Sequence, residues 1–106
     1  MPKYLVQAGY KAEGIKGLLK EGGSSRRASV EKSIQSIGGK VEAFYFAFGD
    51  TDVYVIADLP DNATAAALAL TVTSAGTVTC KTTVLMTPEE IDAAAKKILN
   101  YRPPGQ

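Results

Sequence analysis

The residues able to do chemistry in this chain fall into three sets. The turn Gly49-Asp50-Thr51-Asp52 sets Asp52 at the head of the apolar run that begins at Val53. A carboxylate there can serve as a general base or anchor a ligand at a cavity mouth. An Asp in a turn also accepts backbone N–H bonds, and that structural role is the stronger expectation. Tyr10, Tyr45 and Tyr54 carry phenols that can hydrogen-bond a ligand inside an apolar pocket. With Asp52, Tyr45 and Tyr54 form the candidate catalytic set, and core or interface packing is the competing role for all three tyrosines. Arg26 and Arg27 follow the Gly/Ser-rich stretch that starts at Glu21, and two guanidinium groups beside a helix N-terminus can hold a carboxylate or phosphate. Tyr10, Arg26 and Arg27 are therefore the candidate ligand-binding residues. The stretch lacks the Gly-Lys-Ser/Thr ending of a phosphate-binding loop, so a solvated loop is the plainer expectation. Cys80 alternates with Val78 and Thr82 on an apolar run and is expected to be a buried, inert thiol.

The absence of histidine excludes more than these residues include. The 106-residue chain has none. Ser-His-Asp and Cys-His catalysis are unavailable within one chain, as is a proximal His for haem. A zinc site of the usual His/Cys type cannot be assembled. No metal site and no cofactor is expected, and acid–base work would need a carboxylate, Lys, Tyr or Cys with a perturbed pKa.

Composition sets the frame. The apolar fraction is 45%, charged residues are 22%, and the formal net charge is +1, with 12 basic and 11 acidic residues. That balance gives no basic excess of the kind that serves nucleic acid or a membrane surface. One domain of ordinary size, 1–106, is expected, with 97–106 as a mobile tail. The single cysteine and the absence of a leader-like apolar run point to a cytoplasmic setting.

The elements that must position these residues are legible. Lys3 to Tyr10 reads as a strand, and Ala12 to Lys20 as a short helix weakened by Gly14 and Gly17. A second helix is expected after a Ser24 or Ser25 cap, with Val30, Ile34 and Ile37 on one face and Gly38–Gly39 as its stop. Lys40 to Phe48 and Val53 to Leu59 read as a hairpin. Ala63 to Ala75 is a helix capped from Pro60-Asp61-Asn62, and Thr77 to Met86 a last strand. Thr87, Pro88 and Glu90 spell a capping box that opens a C-terminal helix. The order β-α-β-β-α-β plus a helix predicts an α+β, ferredoxin-like antiparallel sheet with helices on one face.

At this point the sequence resembles a known family. The stretch "FYFAFGDTDVYVIADLPDNATAAALAL" with "TVTCKTTVLMTPEE", the opening "YLVQAGYKAEGIK" and the approach "GGKVEAFYF" resemble the GYD domain family of small, mostly bacterial proteins, over roughly Lys3 to Glu90. The family's name motif, Gly-x-Tyr-Asp, stands here as Gly49-Asp50-Thr51-Asp52, with Thr51 in place of the tyrosine. The resemblance implies the dimeric α/β-barrel superfamily, whose members include cofactor-free oxygenases, isomerases, haem enzymes and ligand-sensing domains, so fold alone does not choose a function.

Two further expectations concern assembly and function. With Phe48 opposite Val53, alternation puts Phe44, Phe46, Phe48, Val53, Val55 and Ala57 on one face of the hairpin, and Val41, Ala43, Tyr45, Ala47, Tyr54 and Ile56 on the other. Both sets are apolar, whereas a one-sided antiparallel sheet alternates cleanly. A homodimer, or a larger homo-oligomer, packed through the Tyr45/Tyr54 face is the expected partner arrangement. The expected function is a small-molecule-binding or assembly module without catalysis. The alternative is a cofactor-independent oxygenase or isomerase acting on a small aromatic or keto-type substrate.

Overall fold

The computed structural model describes Met1–Gln106 and is α+β, with a four-stranded antiparallel sheet and four helices. The strands are β1 (Lys3–Tyr10), β2 (Lys40–Phe46), β3 (Val53–Asp58) and β4 (Val78–Leu85), in the sheet order β2-β3-β1-β4. The helices are α1 (Ala12–Glu21), α2 (Gly23–Ser36), α3 (Asn62–Ser74) and α4 (Pro88–Ala95). No helix is long and apolar enough to cross a membrane.

Local chemistry explains most boundaries. The Asp61 carboxylate accepts from the Thr64 main-chain N–H at 2.8 Å and so starts α3. Thr87 Oγ1 accepts from the Glu90 N–H at 3.1 Å, and Glu90 Oε1 accepts in return from the Thr87 N–H at 3.0 Å, the capping box read from the sequence. The expected Ser24 or Ser25 cap of α2 is not used. The helix begins at Gly23, directly after Gly22 turns the chain with φ at +85°, a conformation open to glycine, so both serines lie inside its first turn.

The hairpin departs from simple alternation in two places. Phe46, not Phe48, faces Val53, and the loop runs from Ala47 to Asp52. Phe48 lies in that loop and is fully exposed, where the sequence placed it opposite Val53 on the hairpin face shared with Phe44 and Val55. A bulge at Glu42 breaks the register between Val41 and Ala43. Two β2 residues then face one on β3, which turns Val41 to the side of Ala57 while Ala43, Tyr45, Tyr54 and Ile56 share the other side.

One sheet face is covered. Tyr4, Val53, Val55 and Ala57 are buried there with Ile34 of α2, Ala65 of α3 and Leu59 just past β3. The Tyr4 hydroxyl donates to Asn62 Oδ1 at 2.6 Å, so the ring is buried with its polar end satisfied. Helix α2 packs over β2 and α3 over β4. The opposite face is open. Its centre carries Leu5, Ala43, Tyr45, Tyr54 and Ile56. At one end Lys3 Nζ pairs with Asp58 at 2.9 Å and Glu42 at 3.0 Å, tying three strands together. At the other end Thr51 Oγ1 donates to Gln7 at 3.3 Å. The hydrogen bonds that the Lys3 ammonium donates to Asp58, and then to Glu42, hold it above its ordinary pKa.

Candidate functional site

With α2 over one sheet edge and α3 over the other, the central strands lie under a gap between the two helices. The result is an apolar cavity of about 100 Å³. Val6, Ala8, Val53 and Val55 form its floor, Phe44 and Val78 its sides, and Val30, Ile34, Leu68 and Val72 its helical walls. Only eight residues of the chain are buried, so the core is closed at the Tyr4 end and incompletely filled at this one. A partly open apolar space of this size suits a short alkyl chain or part of a single ring, since an engineered closed void of about 150 Å³ in another protein holds benzene.

Ser29 and Ser33 of α2 interrupt the apolar lining, and three further groups carry the chemistry. Tyr10 ends β1 and Arg26 stands in the second turn of α2. Both line the cavity and also an outer recess shared with Glu13 and Glu21, so they occupy the mouth. The chain's four ion pairs are Lys3–Glu42, Lys3–Asp58, Lys16–Glu13 and Arg27–Glu31, which leaves the Arg26 guanidinium without a carboxylate partner. Cys80, the third, is half-buried and lines the cavity with its thiol free. The expectation of a buried cysteine is met only in part, and its alternation with Val78 on β4 is what aims it inward.

The structure thus brings together two of the three candidate ligand-binding residues. Arg27 stands apart, exposed and 3.7 Å from Glu31 one turn later in α2. The candidate catalytic set does not converge. Tyr45 and Tyr54 face each other across the β2–β3 ladder on the open side of the sheet, away from the cavity. Asp52 is held by backbone. Its Oδ2 accepts from the Tyr10 N–H at 2.8 Å, its own N–H donates to the Ala8 carbonyl at 2.9 Å, and its carbonyl accepts from Ala47 at 2.7 Å. The sequence reading missed the cavity walls Val30, Leu68 and Val72. The first was visible as the apolar face of α2, but α3 is apolar all round, and helical spacing does not say which of its residues face inward.

These features define a small α+β domain with a helix-roofed, largely apolar cavity and an arginine at its mouth. The family comparison then gives the particular kind. The model for the GYD domain matches residues 4–95, and the chain belongs to that family. Neither the curated proteins nor the solved structures contain a match.

Proposed function

We propose that the chain is a small-molecule-binding module without catalysis, built on a ferredoxin-like plan and working as a homodimer through its open sheet face. The observation that carries the binding reading is the unpaired Arg26 at the rim of a largely apolar cavity. An arginine in that position is suited to a ligand with a ring or short alkyl body and an anionic head, since a guanidinium binds a carboxylate through two parallel hydrogen bonds. The strand order β2-β3-β1-β4 supports the ferredoxin-like plan. The dimer is supported by the apolar centre of the open face, on which Tyr45 is 71% exposed. A catalytic reading needs a carboxylate and a phenol in one closed pocket, and the positions of Asp52, Tyr45 and Tyr54 do not support it.

Native mass spectrometry of protein purified from its own host should detect a bound small molecule. In a thermal-shift series with benzoate and short-chain carboxylates, the natural chain should show saturable stabilisation and the Arg26→Ala chain none. Stabilisation that is equal in both proteins, or a flat response throughout the series, overturns the binding reading. Sedimentation at micromolar concentration tests the assembly, and a clean monomer rules out the dimer.

A further inference from the structure

The C-terminal segment has no seat on its own domain. Helix α4 is well formed and correctly capped, yet packs closely against none of the other elements. Ile91 is 52% exposed, Leu99 80%, Tyr101 65% and Ile98 fully. The radius of gyration is 17.0 Å, against about 13 Å for a compact chain of this length. The longest dimension, 56 Å, is far greater than the other two, 33 and 22 Å. We propose that this segment, from Thr87 onward, is an exchanged arm: each copy's arm docks on the other copy and extends the interface that the open sheet faces begin. The inference rests on the sheet-to-sheet pairing proposed above.

Three observations select a second copy as the occupant. The first is direction. Strand β4 passes to α4 through Met86 and Thr87 alone, and Pro88 with the capping box fixes the helix from its first turn. No glycine or reversing turn sends the chain back over its own sheet. The second is composition. A solvated tail rarely carries two isoleucines, a leucine and a tyrosine in eleven residues, because such side chains are retained in water only where something covers them.

The third is area. Four strands at about 4.8 Å spacing and some 23 Å of length present roughly 450 Å² per copy. A standard stable interface takes about 800 Å² per partner. The open face alone falls well short, and a reciprocal arm with several large apolar side chains supplies area of the missing order. A two-fold axis makes the exchange reciprocal without any further contact type.

The experiment uses the full chain. Protein labelled with ¹³C at the Ile and Leu methyl groups is refolded together with unlabelled protein, and isotope-filtered NOEs are recorded. Contacts from the Ile98 and Leu99 methyls to the unlabelled copy are expected. The paired change Ile98→Asp and Leu99→Asp should weaken the dimer by about tenfold or more in sedimentation, with circular dichroism unchanged because both side chains are exposed. NOEs confined to one chain, or dimer affinity unchanged by the paired change, overturn the arm and leave the sheet-face dimer standing. A natural chain that sediments as a monomer removes both readings.

Discussion

The Asp52 carboxylate accepts a hydrogen bond from the Tyr10 main-chain N–H across 2.8 Å, while the Asp52 N–H reaches back to the Ala8 carbonyl. The β2–β3 loop is thereby fastened to the end of β1, the strand that places Tyr10 at the cavity mouth. A charged acceptor on a backbone donor contributes about 1.5–3 kcal/mol. Asp52→Ala should lower unfolding free energy by about 1–2 kcal/mol in urea titrations, and Asp52→Asn by less, because an amide oxygen still accepts. A catalytic aspartate would give the opposite pattern, with stability untouched and function lost.

Gly39 is required by space. A Cβ there would sit 2.6 Å from the Asp58 carbonyl oxygen, 2.7 Å from Leu59 Cδ2 and 2.8 Å from Ile34 Cγ2. The first of these is backbone of β3, and the other two belong to the most buried side chains of the core. Gly39→Ala should cost about 1–3 kcal/mol, as forced overpacking does. Gly49, in the exposed loop, has no atom within 4 Å of its would-be Cβ, and Gly49→Ala should shift the urea midpoint hardly at all. Equal losses at the two sites would remove the steric account.

Acid should weaken the start of α3. Thr64 donates its hydroxyl to the Asp61 carboxylate at 2.7 Å and its main-chain N–H at 2.8 Å, and these two bonds hold the carboxyl below its ordinary value of 3.8. A folded pKa below the unfolded one contributes stability that is present above the unfolded value and lost as pH falls through the folded value. The melting-temperature gap between the natural chain and Asp61→Ala should be full at neutral pH and close below about pH 3.8. Asp61→Asn keeps a cap but has nothing to titrate there, so this part of the acid transition should vanish. A gap that persists unchanged into strong acid would sink the assignment.

The legible parts of the molecule are those fixed by short-range chemistry. The capping box of α4, the Asp61 start of α3 and the strand Lys3–Tyr10 each follow from a few neighbouring residues. What stayed hidden depends on partners distant in sequence. The Glu42 bulge reverses Val41 without altering the pattern of apolar residues, because both faces of the hairpin are apolar. Phe48 looks like core until the loop is seen to begin at Ala47. Arg26 and Tyr10 were visible as single candidates, but their meeting at one mouth is set by how α2 crosses the sheet. The cavity depends on a gap between two helices that no spacing within either helix records.

The sharpest test of assembly contrasts two neighbouring residues of β3. Val55 is 4% exposed under the helices, and Tyr54, one residue earlier, points to the open face at 39% exposure. In a lone monomer, Tyr54→Asp should be well tolerated, because the new carboxylate stays in water. In a dimer paired through that face, the same carboxylate is driven into a desolvated centre without a cation to match it. The nearest cation of the face is Lys81 on β4, in register with Tyr54 through Gln7 but two strands and about 10 Å away, and Lys3 is already engaged by Asp58 and Glu42 at the far end. An unpaired charge buried in this way costs several kcal/mol, enough to dissociate an interface of modest size. Tyr54→Asp should therefore yield a folded monomer in sedimentation with its far-ultraviolet spectrum intact, while Val55→Asp should unfold the domain. A Tyr54→Asp chain that remains a stable dimer would move the interface off this face.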